Sequence, residues 1–129
     1  MALIEYDEYK QKLRDLGPEL DKLSAALDMD SARAEAQKLE DETAQDGFWS
    51  DLERSQKVQQ RLKQLQNKIA RQDKLVAEWQ DLTALCEMGQ EADDAELLDE
   101  LKAGFQTLEE KVEESRMATL LSGEYDSHS

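Results

Sequence analysis

The chain has 129 residues, of which 36% are charged and 5% aromatic, with five glycines and one proline. β-Branched residues and turn formers are both scarce in such a composition, which argues against a β-sheet protein and indicates long helices. The formal net charge of −15 repels phosphate backbones, so we do not expect the chain to bind nucleic acid independently.

The first predicted helix carries apolar residues at alternating steps of three and four, which is the pattern of a heptad seam. This seam consists of Tyr6, Tyr9, Leu13, Leu16, Leu20, Leu23 and Leu27. Gly17 and Pro18 interrupt it, and a proline in a helix interior costs about 3 kcal/mol. Because the seam keeps its phase across Pro18, we predict a kinked helix rather than two separate helices.

A second helix is predicted from about Ala32 to Ala44, with Asp30 or Ser31 as its cap. Its apolar side is weak, so it needs contacts with other parts of the chain to persist. The residues on that side are Ala32, Ala36 and Leu39.

The connection that follows, D-G-F-W-S-D at residues 46–51, places Phe48 and Trp49 in a polar segment. We predict that this aromatic pair anchors the loop on the core, with recognition of a partner as the alternative. If Trp49 is such an anchor, Trp49→Ala would lower the free energy of unfolding by about 3–5 kcal/mol. Ser50 followed by Glu53 resembles a capping box that opens the third helix.

The third helix is the longest and is predicted to end near Gly89. Its seam contains Val58, Leu62, Leu65, Ile69, Gln72, Val76 and Trp79, widened by Leu75, Leu82, Leu85 and Cys86. Asp93 or Asp94 caps a fourth helix, and Asp93 with Glu96 resembles a capping box. The seam of that helix comprises Leu101, Phe105, Leu108 and Val112 and continues toward Leu120 and Leu121. The predicted fold is all-α, an elongated bundle of about four helices with a long antiparallel, coiled-coil-like hairpin.

Charge is unevenly distributed along the chain. Residues 51–85 carry seven bases and five acids, whereas residues 86–129 carry three bases and 13 acids. The bases of the central segment are Arg54, Lys57, Arg61, Lys63, Lys68, Arg71 and Lys74. They could form a local basic patch, but we favour the interpretation that they neutralise acidic faces of neighbouring helices.

No pattern in the sequence indicates catalysis. Cys86 is the single cysteine, so it forms no intramolecular disulfide, and its place on the apolar seam predicts burial. The carboxylates occur in surface runs without histidine or cysteine partners, so we expect no metal, no cofactor and no enzyme activity. We find neither a membrane span nor a signal peptide, and we expect a soluble cytoplasmic protein.

Several segments together resemble one known family. They are the opening E-Y-D-E-Y, the D-G-F-W-S-D-L-E-R-S-Q-K-V junction, the loop E-A-D-D-A-E-L-L and the closing L-L-S-G-E-Y-D. Their order and spacing resemble the N-terminal domain of the bacterial peptide chain release factor 2 family over essentially the whole chain. The departure is Gly17-Pro18, because that family usually continues its first helix without proline.

The resemblance implies a division of labour within a longer protein. Members of that family recognise the stop codons UAA and UGA through an S-P-F tripeptide and promote peptidyl-tRNA hydrolysis through a G-G-Q motif. Neither tripeptide occurs in this sequence, so no catalytic residue can be assigned here. The implied partners of this domain are the ribosome, at the stalk base and GTPase-associated region, and the release-factor GTPase.

These considerations set the expected organisation and function. Residues 1–121 would form the helical domain, and residues 122–129 would begin the linker to a central domain. Phe48, Trp49 and Tyr125 are the candidate structural or interface residues. The alternative function is a free-standing helical adaptor or coiled-coil scaffold, and self-association through the seams stays open. We expect the chain to fold without supporting stop-codon-dependent release.

Overall fold

The computed structural model describes the backbone of residues 2–122 and the side chains of residues 3–122. Four α-helices account for most of this range, and the predicted all-α class is confirmed. They are α1 (Ala2–Ala26), α2 (Met29–Thr43), α3 (Leu52–Ala92) and α4 (Ala95–Leu121), with a short 3-10 helix at Phe48–Ser50. Within residues 2–122, no helix combines the length and the apolar character that crossing a bilayer requires.

The described chain divides into two compact units. The three-helix unit comprises α1, residues 74–92 of α3, and α4, whereas the hairpin unit comprises residues 28–73. The three-helix unit is organised around one apolar core. Its buried members are Tyr6, Leu13, Leu20, Leu23, Leu75, Leu82, Cys86, Leu98, Leu101, Phe105, Leu108 and Val112. These residues recur at heptad spacing, which is why the three helices can share a continuous seam.

The predicted seam of α1 is confirmed. Four of its residues are buried, and the other three, Tyr9, Leu16 and Leu27, are partly buried against the same core. The helix continues through Pro18 without a break. Trp79 of α3 packs against this part of α1. Its indole Nε1 donates a hydrogen bond to the Leu13 carbonyl at 2.7 Å. A Cβ at Gly17 would lie 3.1 Å from the Trp79 ring, so glycine allows this close approach.

The C-terminal end of α4 departs from the prediction. Leu120 and Leu121 are 45% and 84% exposed, whereas Thr119 is 3% exposed and continues the buried side. Thr119 follows Val112 by one heptad, so the helical period selects it over its more apolar neighbours. The Thr119 hydroxyl donates a hydrogen bond to the Ser115 carbonyl at 2.7 Å, which satisfies its polar group within the helix.

Two tight connections also differ from the predicted boundaries. α2 begins at Met29 rather than near Ala32, because Asp28 adopts a left-handed conformation with φ of 52° and turns the chain in a single residue. Asp is one of the few residues besides glycine that tolerate this conformation. The predicted side-chain cap by Asp30 or Ser31 is therefore wrong.

α3 continues three residues beyond the predicted end at Gly89 and stops in a Schellman motif. Asp93 is left-handed with φ of 49°, the Asp94 amide donates to the Gly89 carbonyl, and the Asp93 amide donates to the Gln90 carbonyl. Asp94 then caps α4, since its Oδ1 accepts from the amides of Glu96 and Leu97. Of the two caps that the sequence left open, Asp94 is the one used.

Candidate interaction site at the end of the hairpin unit

The hairpin unit is formed by α2 and the first part of α3, which pack in antiparallel directions. Ala32, Ala36 and Leu65 are buried at their interface, with Leu39, Leu62 and Ile69 partly buried against them. The weak apolar side predicted for α2 is therefore its contact surface with α3, and the packing supplies the tertiary support that this helix needs.

Charged and polar pairs connect the two helices on both sides of this interface. Glu35 binds the Arg61 guanidinium through two hydrogen bonds of 2.8 Å, and Arg33 binds the Asp73 carboxylate. The Arg61 hydrogen bonds lower the pKa of the Glu35 carboxyl. Together with the 3.8 Å pair between Arg54 and Glu42, the Arg61 contact shows that these two central cations neutralise acidic positions of the neighbouring helix.

The connection between α2 and α3 is a compact turn. Gly47 has φ of 81°, a conformation that glycine adopts without steric cost. The Phe48 amide donates to the Gln45 carbonyl, and the Ser50 amide donates to the Gly47 carbonyl. Phe48 is 2% exposed, so its side chain is packed against the hairpin unit. The Arg54 guanidinium lies 5.8 Å from the centre of its ring.

Asp51, rather than Ser50, caps α3. Its Oδ1 accepts from the Arg54 amide at 3.1 Å, and its carbonyl accepts from the Ser55 amide at 2.9 Å. Asp51 has the extended backbone typical of a capping residue, whereas Ser50 belongs to the preceding 3-10 helix. The capping box predicted from Ser50 and Glu53 is therefore wrong by one residue.

Trp49 does not share the burial of Phe48. Its side chain is 60% exposed, and its ring contacts Phe48 edge to face at 5.0 Å between centroids. Successive residues of a 3-10 helix point about 120° apart, so only one of this pair can face the core. Because the indole is not buried, Trp49→Ala is not expected to cause the predicted loss of about 3–5 kcal/mol.

Leu52, three positions after Trp49 in the sequence, is a second exposed apolar side chain. It is 67% exposed at the first position of α3, outside the helix seam. Trp49 and Leu52 together are called the hairpin-end patch. The sequence analysis missed Leu52. Its position directly after Asp51, at the start of a helix and outside the apolar seam, could have predicted that it is exposed. Exposed Asp46, Asp51 and Glu53 surround the patch in the sequence.

The hairpin-end patch has the chemistry of a protein-binding surface. The exposed tryptophan and leucine present apolar area, and the acidic residues next to them in the sequence favour a partner surface that carries lysine or arginine. Tyr125, the third candidate residue, lies outside the described residues. Cys86 is 1% exposed, and burial raises the pKa of its thiol, which is the behaviour of a packing residue. Residues 2–122 contain no cluster of side chains suited to a metal ion.

Comparison with known proteins identifies the family. The PCRF domain matches residues 32–129. Peptide chain release factor 2 of Streptomyces avermitilis is 33% identical over 127 residues, covering 98% of this chain and 34% of that protein. The same factor of Salinispora tropica is 32% identical over 120 residues, and that of Mycobacteroides abscessus is 34% identical over 114. The alignments cover 93% and 88% of this chain and 32% and 31% of those proteins. The chain thus spans about a third of these relatives and belongs to the PCRF domain family, which it shares with peptide chain release factors.

Proposed function

We propose that the chain acts in translation termination as the ribosome-docking domain of a peptide chain release factor. The observation that carries this proposal is the PCRF domain match together with relatives named peptide chain release factor 2. A complete factor of this kind would direct release of the nascent chain at UAA and UGA codons in the cytoplasm. S-P-F and G-G-Q do not occur in these 129 residues. The contribution of the 129 residues would therefore be docking rather than hydrolysis.

The hairpin-end patch is the part of the hairpin unit best suited to make such a contact. Trp49 and Leu52 are exposed on a turn that is held by the buried Phe48 and the capping Asp51. A fixed turn lowers the entropy lost on binding, and tryptophan is among the residues that contribute most to interfaces. We assign this patch to a ribosomal protein surface at the stalk base, where basic residues would face Asp46 and Glu53. The release-factor GTPase is a further partner of the same domain.

The test is a pelleting assay of the 129-residue chain with bacterial ribosomes. We expect the double variant Trp49→Ser, Leu52→Ser to keep its helical circular dichroism and to melt close to the wild type, because both side chains are exposed. Binding should weaken by about 30-fold, since loss of an interfacial tryptophan typically costs about 2 kcal/mol or more.

Met88→Ser is the matched control. Met88 is 58% exposed on α3 within the three-helix unit, and its replacement removes a comparable apolar side chain away from the patch. The control should bind ribosomes as the wild type does. Equal binding by the patch variant and the wild type would reject the hairpin end as the docking contact.

A further inference from the structure

An open groove around Pro18 is lined by residues of α1 and α3 within the three-helix unit. Most of its lining is apolar and consists of Gly17, Pro18, Leu20, Val76 and Trp79. Arg14 and Asp21, which are both exposed on α1, line it as well. Gly17-Pro18 is also the point at which this chain departs from the pattern of its family, and the docking function does not use it.

Pro18 leaves one backbone acceptor of α1 without its regular donor. In an α-helix a carbonyl accepts a hydrogen bond from the amide four residues later, and proline has no amide hydrogen. The Arg14 carbonyl therefore receives no hydrogen bond from Pro18. The indole Nε1 of Trp79 already donates to the adjacent Leu13 carbonyl at 2.7 Å. Trp79 thus has no further N–H to offer, and it contributes its aromatic ring to the groove.

The polar groups of the groove follow an order that the helix geometry determines. Carbonyls of a helix point toward its C-terminus, whereas the Cα–Cβ bonds tilt toward its N-terminus. The Arg14 carbonyl is therefore directed toward Pro18, and the Arg14 side chain leaves in the opposite direction. By the same rule Asp21 covers the turn that contains Pro18. Among residues 3–122, the Asp21 carboxylate has no ion-pair or hydrogen-bond partner. The groove around Pro18 thus combines two acceptors with an aromatic ring.

We propose that this groove binds an arginine side chain of a partner protein. A guanidinium stacks on an indole ring by cation–π attraction and presents five N–H donors in a planar fork. These donors match the Arg14 carbonyl and the Asp21 carboxylate, whereas an anionic side chain has no donor for either. The net charge of −15 also favours a cationic partner.

The proposed arginine site is separate from the proposed docking contact. The groove belongs to the three-helix unit, and the hairpin-end patch belongs to the hairpin unit. The inference therefore does not rest on the docking function, and each can fail without the other.

Nuclear magnetic resonance of the ¹⁵N-labelled 129-residue chain tests the site with the peptide acetyl-Gly-Arg-Gly-amide. The two tryptophans give two indole N–H signals, and the Trp49→Phe variant identifies which belongs to Trp79. We expect the Trp79 signal to shift in a saturable manner. Trp49 is the internal control, because it is 60% exposed and would respond if arginine associated with any accessible indole. The same peptide with neutral citrulline in place of arginine should bind about 10-fold more weakly, because the cation–π and charge-assisted contacts are lost.

Two substitutions in the groove test its acceptors. Pro18→Ala supplies an amide hydrogen to the Arg14 carbonyl and should weaken peptide binding by about 10-fold, the effect of losing a hydrogen bond to a charged group. Its melting temperature should not fall, since proline is unfavourable inside a helix. Asp21→Asn keeps the shape of the side chain and should weaken binding by about 3-fold. Glu8→Gln is the matched control, because it removes one negative charge at an exposed position of α1 outside the groove.

The outcomes that overturn the proposal are specific. They are a shift of the Trp49 signal without one of the Trp79 signal, equal affinity for the citrulline peptide, and wild-type affinity in the Pro18→Ala variant. Equal weakening by Asp21→Asn and Glu8→Gln would also overturn it, because the peptide would then respond to overall charge and not to the groove.

Discussion

Replacing Phe105 with alanine is expected to lower the free energy of unfolding by about 3–5 kcal/mol, the range for truncating a buried aromatic side chain. Phe105 is 4% exposed in the middle of α4, and its ring contacts Tyr9 edge to face at 5.5 Å with an interplanar angle of 86°. The substitution leaves a cavity between α1 and α4 and removes this aromatic contact. Small domains are stabilised by only about 5–15 kcal/mol in total, so the loss would be large.

Chemical denaturation followed by circular dichroism at 222 nm, in the far-ultraviolet band that reports helix, measures this change. Leu121→Ala on the same helix is the matched control, because Leu121 is 84% exposed and its replacement should change stability by less than about 0.5 kcal/mol. A Phe105→Ala variant as stable as the control would contradict the assignment of Phe105 to the core.

Gly89→Ala is expected to destabilise the three-helix unit, although alanine favours a helix by about 1 kcal/mol over glycine. A Cβ at this position would lie 2.2 Å from the Tyr6 hydroxyl oxygen and 2.4 Å from the ring carbon that bears it. Tyr6 is 0% exposed, and its hydroxyl donates a hydrogen bond to the Asp94 carbonyl. Because the ring is buried and its hydroxyl is held by this hydrogen bond, overpacking should cost about 1–3 kcal/mol.

A double-mutant cycle with Tyr6→Leu separates this clash from other effects of the alanine. Leucine lacks the hydroxyl and the distal ring atoms, so Gly89→Ala should become neutral or stabilising in the Tyr6→Leu background. The expected signature is a coupling energy of about 1–3 kcal/mol by denaturant titration. Independent effects of the two substitutions would show that Tyr6 does not pack over Gly89.

The seams of the helices could be predicted from the sequence because the heptad period determines which residues meet. Burial of Tyr6, Leu13 and Phe105 follows from that period alone. The same period explains why Thr119 is buried while Leu120 is exposed. At this end of α4, the position of a residue in the heptad decides whether it is buried, and the hydrophobicity of its side chain does not. The prediction had relied on hydrophobicity.

The connections were less predictable because they depend on single backbone conformations. Left-handed Asp28 and Asp93 shift the start of α2 and the end of α3 by three residues each, and neither conformation can be read from residue type. The candidate site was only half predicted for a related reason. Phe48 and Trp49 are both large and apolar, but the 3-10 turn directs one into the core and the other into solvent.

We propose a docking domain that does not itself catalyse release. Competition in a release assay tests this claim most directly, with bacterial ribosomes stalled at a UAA codon and a full-length bacterial peptide chain release factor 2. The account predicts that the 129-residue chain, added in increasing excess, progressively inhibits release by the full-length factor and releases no peptide alone. Undiminished release at saturating chain, or release by the chain alone, would contradict the account.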